Sequence, residues 1–176
     1  MTIRLEGKRI VLRELEEKDA ERLFLLAKEK DIARFTMVPH PYSIEMAKEF
    51  IDKTFDKIEN SLTVELKETK EIIGMCSLVR INKESRNAEL GYWIGKDFWR
   101  KGYAEEATRV IIRWGFEIID LERISARVLH QNIPSKNLIE KLGFAYEGRE
   151  RKAILRFDEW SDFLLYGMLK EEHKRD

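Results

Sequence analysis

Disulfide chemistry is closed to this chain, because its single cysteine, Cys76, has no internal partner. Cys76 lies in the apolar run 72–79, where a buried structural thiol is the plain reading and a reactive one the alternative. Neither charge is in excess: Lys+Arg and Asp+Glu number 33 each, without the basic surplus usual in a dedicated nucleic-acid binder. No stretch approaches the roughly 20 apolar residues of a membrane span. The N-terminal residues lack the apolar core of a secretory signal, so a cytoplasmic protein contacting neither membrane nor nucleic acid is expected. Glutamine is nearly missing, with Gln131 alone.

What is present is charge: 38% of residues are Asp, Glu, Lys or Arg. Hyperthermophile proteins share that bias, since ion-pair networks cost less desolvation when hot. A high-temperature source, to be read from the melting temperature, is the expectation. Apolar residues reach 43%, enough for a core, and the length of 176 suits one domain spanning residues 1–176.

Periodicity orders the elements. Residues 9–13 alternate as a strand, and Asp19 opens a helix carrying Ala20, Leu23, Phe24 and Ala27 on one face. Pro39 and Pro41 break the chain, and Ser43 reads as the N-cap of a second helix with Ile44, Ala47, Phe50 and Ile51 inward. Strands follow at 62–66, 72–81 and 88–95, the last with Gly91 as a candidate bulge. Residues 103–121 form the longest helical pattern, with Ala107, Val110, Ile111, Trp114, Ile118 and Leu121 on one stripe. A strand at 123–128, a short helix at 134–142 stopped by Gly143, and strands at 144–150 and 162–169 complete an α/β chain.

Two segments carry chemistry. Trp99-Arg100-Lys101-Gly102-Tyr103-Ala104 runs from a strand into a helix start, where unpaired N–H groups and the helix dipole favour an anion. Its spacing fits neither the Walker loop nor the Gly-x-Gly-x-x-Gly fingerprint, and an ordinary basic turn would look alike. The second is Asn132-Ile133-Pro134-Ser135, in which Asn132 or Ser135 could simply cap the next helix.

Taken together with Glu89-Leu90-Gly91-Tyr92-Trp93, Glu140-Lys141-Leu142-Gly143-Phe144 and Glu147-Gly148-Arg149, these segments resemble the GNAT superfamily of N-acetyltransferases. The likeness is strongest to its RimJ/RimL-like branch of ribosomal-protein N-terminal acetyltransferases. The resemblance implies an α/β (α+β) fold: a mixed, mostly antiparallel sheet of about seven strands, the fourth and fifth splayed, with about four helices. It implies acetyl-CoA as acyl donor and no metal. Pantetheine would lie along the backbone of Trp93 and Ile94, beside a bulge near Leu90-Gly91. The pyrophosphate would sit on Trp99, Arg100, Lys101, Gly102, Tyr103 and Ala104. Trp99 departs from the general Gln/Arg at its position and marks the branch.

The same resemblance makes Glu89 the candidate base, with a solvent-facing strand glutamate as the alternative. It makes Ser135 the candidate donor to the leaving sulfur, because the tyrosine that many members carry before Glu-Lys is Ile139 here. A Trp93 N–H would serve the oxyanion, Asn132 the pantetheine amides, and Asn137 would lie near the cofactor. Phe35, His40, Tyr42 and Trp160 are candidate walls of the acceptor groove, or else core aromatics. Expected partners are a protein N-terminus or a small amine such as a polyamine, with a homodimer allowed. A silent acyl-CoA sensor is the rival from another class.

Overall fold

Apolar alternation along short extended runs, interrupted by three amphipathic helical stretches, produces a sheet that helices cover on both faces. The structure, a computed structural model, describes residues 3–55 and 60–173. Its strands are β1 (Arg4–Glu6), β2 (Ile10–Glu14), β3 (Asn60–Leu66), β4 (Ile72–Asn82), β5 (Asn87–Ile94), β6 (Arg123–Leu129), β7 (Ala145–Arg156) and β8 (Glu159–Leu169). Its helices are α1 (Ala20–Ala27), α2 (Lys30–Phe35), α3 (Ile44–Phe55), α4 (Tyr103–Glu117) and α5 (Ile133–Lys141). The sheet order is β1-β2-β3-β4-β5-β6-β8-β7, with β5–β6 the one parallel pair among the described residues. No helix of the described residues is long and apolar enough to cross a membrane.

The main core lies between one face of the sheet and α4, where Ile10, Leu12, Leu78 and Ile124 meet Ala107, Ile111 and Phe116. Full burial of a side chain such as Ile111 stabilises the fold by about 1.5–3 kcal/mol. A second cluster on the opposite face joins Leu23 of α1, Ala47 and Ile51 of α3 and Met75 of β4, with Trp93 and Tyr42 packed on it. Arg13 ties the edge of this layer together. It is 8% exposed and bonds Asp19 Oδ2 at 2.7 Å and Glu65 Oε2 at 2.7 Å. Asp19 hydrogen bonds raise the Arg13 pKa further, so the guanidinium stays charged despite burial.

Several local readings hold. Ser43 Oγ accepts Met46 N–H at 3.2 Å, and Gly143 adopts φ +96° just past α5. The sheet has eight strands among the described residues, in keeping with the expected seven or so; the additional β1 has three residues, too few to show a period, and is defined by pairing with β2. The helix α2 was likewise too short, at six residues, for periodicity to reveal. Others need correction. The long helix stops at Glu117, since Leu121 N–H returns to Gly115 C=O, and Ile118 is 71% exposed rather than inward. The last strand begins at Glu159 rather than Asp162, so Trp160 lies within β8. Gly91 pairs regularly with Ser77, so no bulge lies there; the register shift falls between Val79 and Asn82, at Arg80 with φ +53°.

Candidate active site

The parallel ladder between β5 and β6 ends early. It runs from Asn87↔Arg123 to Leu90↔Ala126, yet β5 continues to Ile94 and β6 to Leu129. Beyond Ala126, β6 stays with β8, while residues 91–94 stay with β4. The two strands therefore part at Gly91. Main-chain groups of β5 facing the gap have no ladder partner, and an extended amide-bearing chain could supply one. Trp93 and Ile94 border this slot, although the Ile94 carbonyl already accepts the Trp99 indole N–H at 2.6 Å. Trp99 thus clips the end of the slot to the turn that follows.

That turn leads to the anion site. Arg100 (φ +61°) and Gly102 (φ +79°) are both left-handed, the latter a geometry that L side chains rarely adopt. The first helical bond of α4 is Glu106 N–H to Gly102 C=O at 3.1 Å. The N–H groups of Tyr103, Ala104 and Glu105 precede it and are the unpaired donors of a helix start. Two acids in this first turn, Glu105 and Glu106, would repel a pyrophosphate, but both are engaged by cations. Glu106 accepts Arg9 N–H at 2.6 Å, Arg9 Nε at 2.8 Å and Ile10 N–H at 3.3 Å. Burial works against the Glu106 carboxylate, yet these bonds hold its pKa below the ordinary value. Arg9 also donates to Lys101 C=O at 2.9 Å and lies 4.5 Å over the Tyr103 ring, so one arginine braces the whole loop. Glu105 is lowered chiefly by its 2.6 Å bond from Lys141, with Arg109 adding to it. Arg100 and Lys101 remain exposed beside the helix start.

Across the slot, Asn132 caps α5 by accepting Ser135 N–H at 3.2 Å. The capping alternative is therefore realised for Asn132, leaving its amide NH₂ as the group able to meet a ligand. The Ser135 hydroxyl does not cap; it bonds the Tyr92 hydroxyl at 2.8 Å. Ile139, one turn further along, is fully buried, and Asn137 is exposed.

The opposite face of the sheet follows from alternation. Leu90, Tyr92 and Ile94 point to the α4 side, and Glu89, Gly91 and Trp93 to the α1–α3 side. By the same period Arg123, Ser125 and Arg127 of β6 share the Glu89 face. Glu89 Oε2 accepts Arg80 at 2.7 Å, Arg123 bonds Glu147 at 2.6 Å, and Arg127 bonds Glu150 at 2.7 Å. A Cβ placed on Gly91 or on Gly148 would meet nothing within 4 Å, so the floor between these pairs is open.

The groove aromatics divide. Tyr42 is packed into the second cluster and Phe35 is half-buried under Arg34. His40 is exposed and lies 5.7 Å from Phe157, while Trp160 is 56% exposed beside Leu155. The β7–β8 tip docks on α2 through Arg156, which donates to Ala33 C=O at 2.6 Å and Val38 C=O at 2.8 Å. The sequence pattern assigns no site role to Tyr92, Arg9, Arg80, Arg127 or Arg156. Each acts on a residue from another element, and no local pattern records that.

A family model described as an acetyltransferase (GNAT) domain matches residues 9–145. The chain is 31% identical over 173 residues to the N-acetyltransferase p20 of Bacillus licheniformis, covering 96% of this chain and 97% of that protein. It is 30% identical over 169 residues to YdaF of Bacillus subtilis (strain 168), a ribosomal N-acetyltransferase by designation only, covering 93% and 92%. Among solved structures, spermidine N-acetyltransferase from Vibrio cholerae in complex with CoA and spermine superposes with a TM-score of 0.85 at 26% identity, covering 94% and 98%.

Proposed function

The chain belongs to the GNAT family of acetyltransferases, with acetyl-CoA as acyl donor, and we propose that its acceptor is the N-terminal α-amine of a protein, such as a ribosomal protein. Acetyl-CoA supplies an activated thioester. For the donor side, residues 91–94 would border pantetheine with the Asn132 amide. The loop 99–104 would hold the pyrophosphate, and a gap-side N–H of β5, that of Tyr92 or Ile94, would face the carbonyl oxygen that gains charge; the expected Trp93 N–H points instead to β4, in register with Gly95 N–H on Ile73 C=O.

One observation carries the choice of acceptor. The carboxylates assigned to the open face, Glu89, Glu147 and Glu150, are each held by an arginine. A polyamine brings several positive charges and calls for carboxylates free to receive them. A peptide brings one amine and a chain of amides, which suits a charge-balanced, open floor. The chemistry agrees. Deprotonating a lysine-like amine at pH 7 costs roughly 4.6 kcal/mol, whereas an α-amine near 8 costs about 1.4. Glu89 has one oxygen on Arg80, leaving Oε1 for the amine or a bridging water.

The superposition on a spermidine acetyltransferase keeps a small amine as the second reading. The test is CoA release from acetyl-CoA with peptides bearing Ser, Ala, Thr or Met termini, beside spermidine and spermine. Turnover with peptides is expected. Turnover confined to polyamines would overturn the acceptor, and CoA binding without turnover on any amine would turn the chain into a sensor.

A further inference from the structure

The thiol-release half of the reaction lacks its usual phenol, because position 139 is an isoleucine buried in the core. A phenol nevertheless reaches the same helix from the other side. Tyr92 stands in the unpaired stretch of β5, one residue past the point where β5 and β6 part. Its hydroxyl lies 2.8 Å from Ser135 Oγ, on the face of α5 that also carries Ile139. The bond crosses the slot and joins its two walls. A serine near a helix start usually turns to its own backbone, yet here the N–H cap is provided by Asn132 and the Ser135 hydroxyl is directed to the strand.

We propose that Tyr92 is a positioning residue for thiol release: its phenol donates to Ser135 Oγ and orients the serine O–H toward the departing sulfur. This rests on the reading that Ser135 faces the thioester. Two hydroxyls share two protons, and the bond between them uses one. A phenol is a far stronger acid than an alcohol, so the favoured order runs from Tyr92 O–H to Ser135 Oγ, leaving the serine proton for the next acceptor. A hydroxyl that accepts one bond donates a stronger second one.

The amine lone pair forms the N–C bond, the C–S bond breaks with its electron pair on sulfur, and the proton lost by nitrogen leaves through Glu89 or water. Sulfur receives a hydrogen bond from Ser135, and its proton is supplied afterwards by solvent. Burial pushes Tyr92 up to about 12, against roughly 8.5 for an ordinary thiol, so the phenol keeps its proton and stabilises the thiolate without protonating it. The neighbouring thiol, Cys76, is raised by complete burial and contributes no charge.

The experiment is a double-mutant cycle of Tyr92→Phe and Ser135→Ala, read by kcat, by KM for acetyl-CoA, and by the ultraviolet titration of the CoA thiol in the binary complex. Tyr92→Phe should lower kcat about 5–20-fold with KM within about twofold, and the double variant should be no slower than Ser135→Ala. The bound thiol should titrate below free CoA in the parent and move back toward it in both single variants, a readout needing no acceptor amine. Ser135→Thr, which keeps the hydroxyl, should retain turnover. Equal losses from Tyr92→Phe with and without Ser135 would overturn the proposal, as would an unshifted thiol titration in Tyr92→Phe. An inert Ser135→Ala would instead overturn the serine reading beneath it.

Discussion

The two sides of the parted strands are built from different materials. The donor side is backbone: free N–H groups at the start of α4, a left-handed Gly102, an early-ending ladder and the Asn132 cap. Side chains enter mainly to brace it, as Arg9 does for Glu106 and the Lys101 carbonyl. The acceptor side is side chain on side chain: Arg80–Glu89, Arg123–Glu147 and Arg127–Glu150, with Arg156 fastening the hairpin over α2. A cofactor that never changes can be gripped by peptide groups that any sequence supplies. An acceptor that differs between enzymes has to be chosen by side chains, which substitutions can retune without disturbing the fold.

Three substitutions test that division, taken from the largest expected effect to the smallest. Gly91→Val introduces a branched side chain where no protein atom waits, on the acceptor face at the mouth of the slot. Peptide acetylation should fall by about two orders of magnitude while the melting temperature holds or rises slightly, since valine suits a strand better than glycine. A stability loss with intact turnover would show that the open floor is not where substrate lies. Gly102→Val attacks the donor side by forcing a branched residue to φ +79°. Left-handed strain of about 1–2 kcal/mol per residue predicts a 5–30-fold rise in the acetyl-CoA dissociation constant, measurable by calorimetry. Unchanged affinity would mean that the loop geometry is incidental to phosphate binding. Arg127→Ala should release Glu150 and move the ratio of spermidine to peptide turnover about 3–10-fold toward spermidine, leaving acetyl-CoA affinity unchanged. A change in acetyl-CoA affinity alone would erase the distinction between the two sides.

Legibility followed the same line. The loop 99–104, the Gly143 stop and the Ser43 cap could be read because each depends on residues within one turn of chain. The long helix and the central strands could be read from period. Short elements such as β1 and α2 could not, having too few residues to express one. Asn132 and Ser135 were located while their division of labour was hidden, since capping and facing Tyr92 differ only in where two side chains turn. Trp99 was recognisable as unusual. Its use as a donor to Ile94 C=O depends on the path of the intervening turn.

By itself the sequence determined the family, the donor and the order of the longer elements, because hydrophobic period and local capping act between near neighbours and survive transcription into one dimension. Tertiary structure alone decided where β5 and β6 part, which carboxylates the arginines take, and that a phenol from a strand meets a serine on a helix. Those outcomes join residues 9 to 123 positions apart in the chain, and their energies depend on distances that only the folded sheet sets.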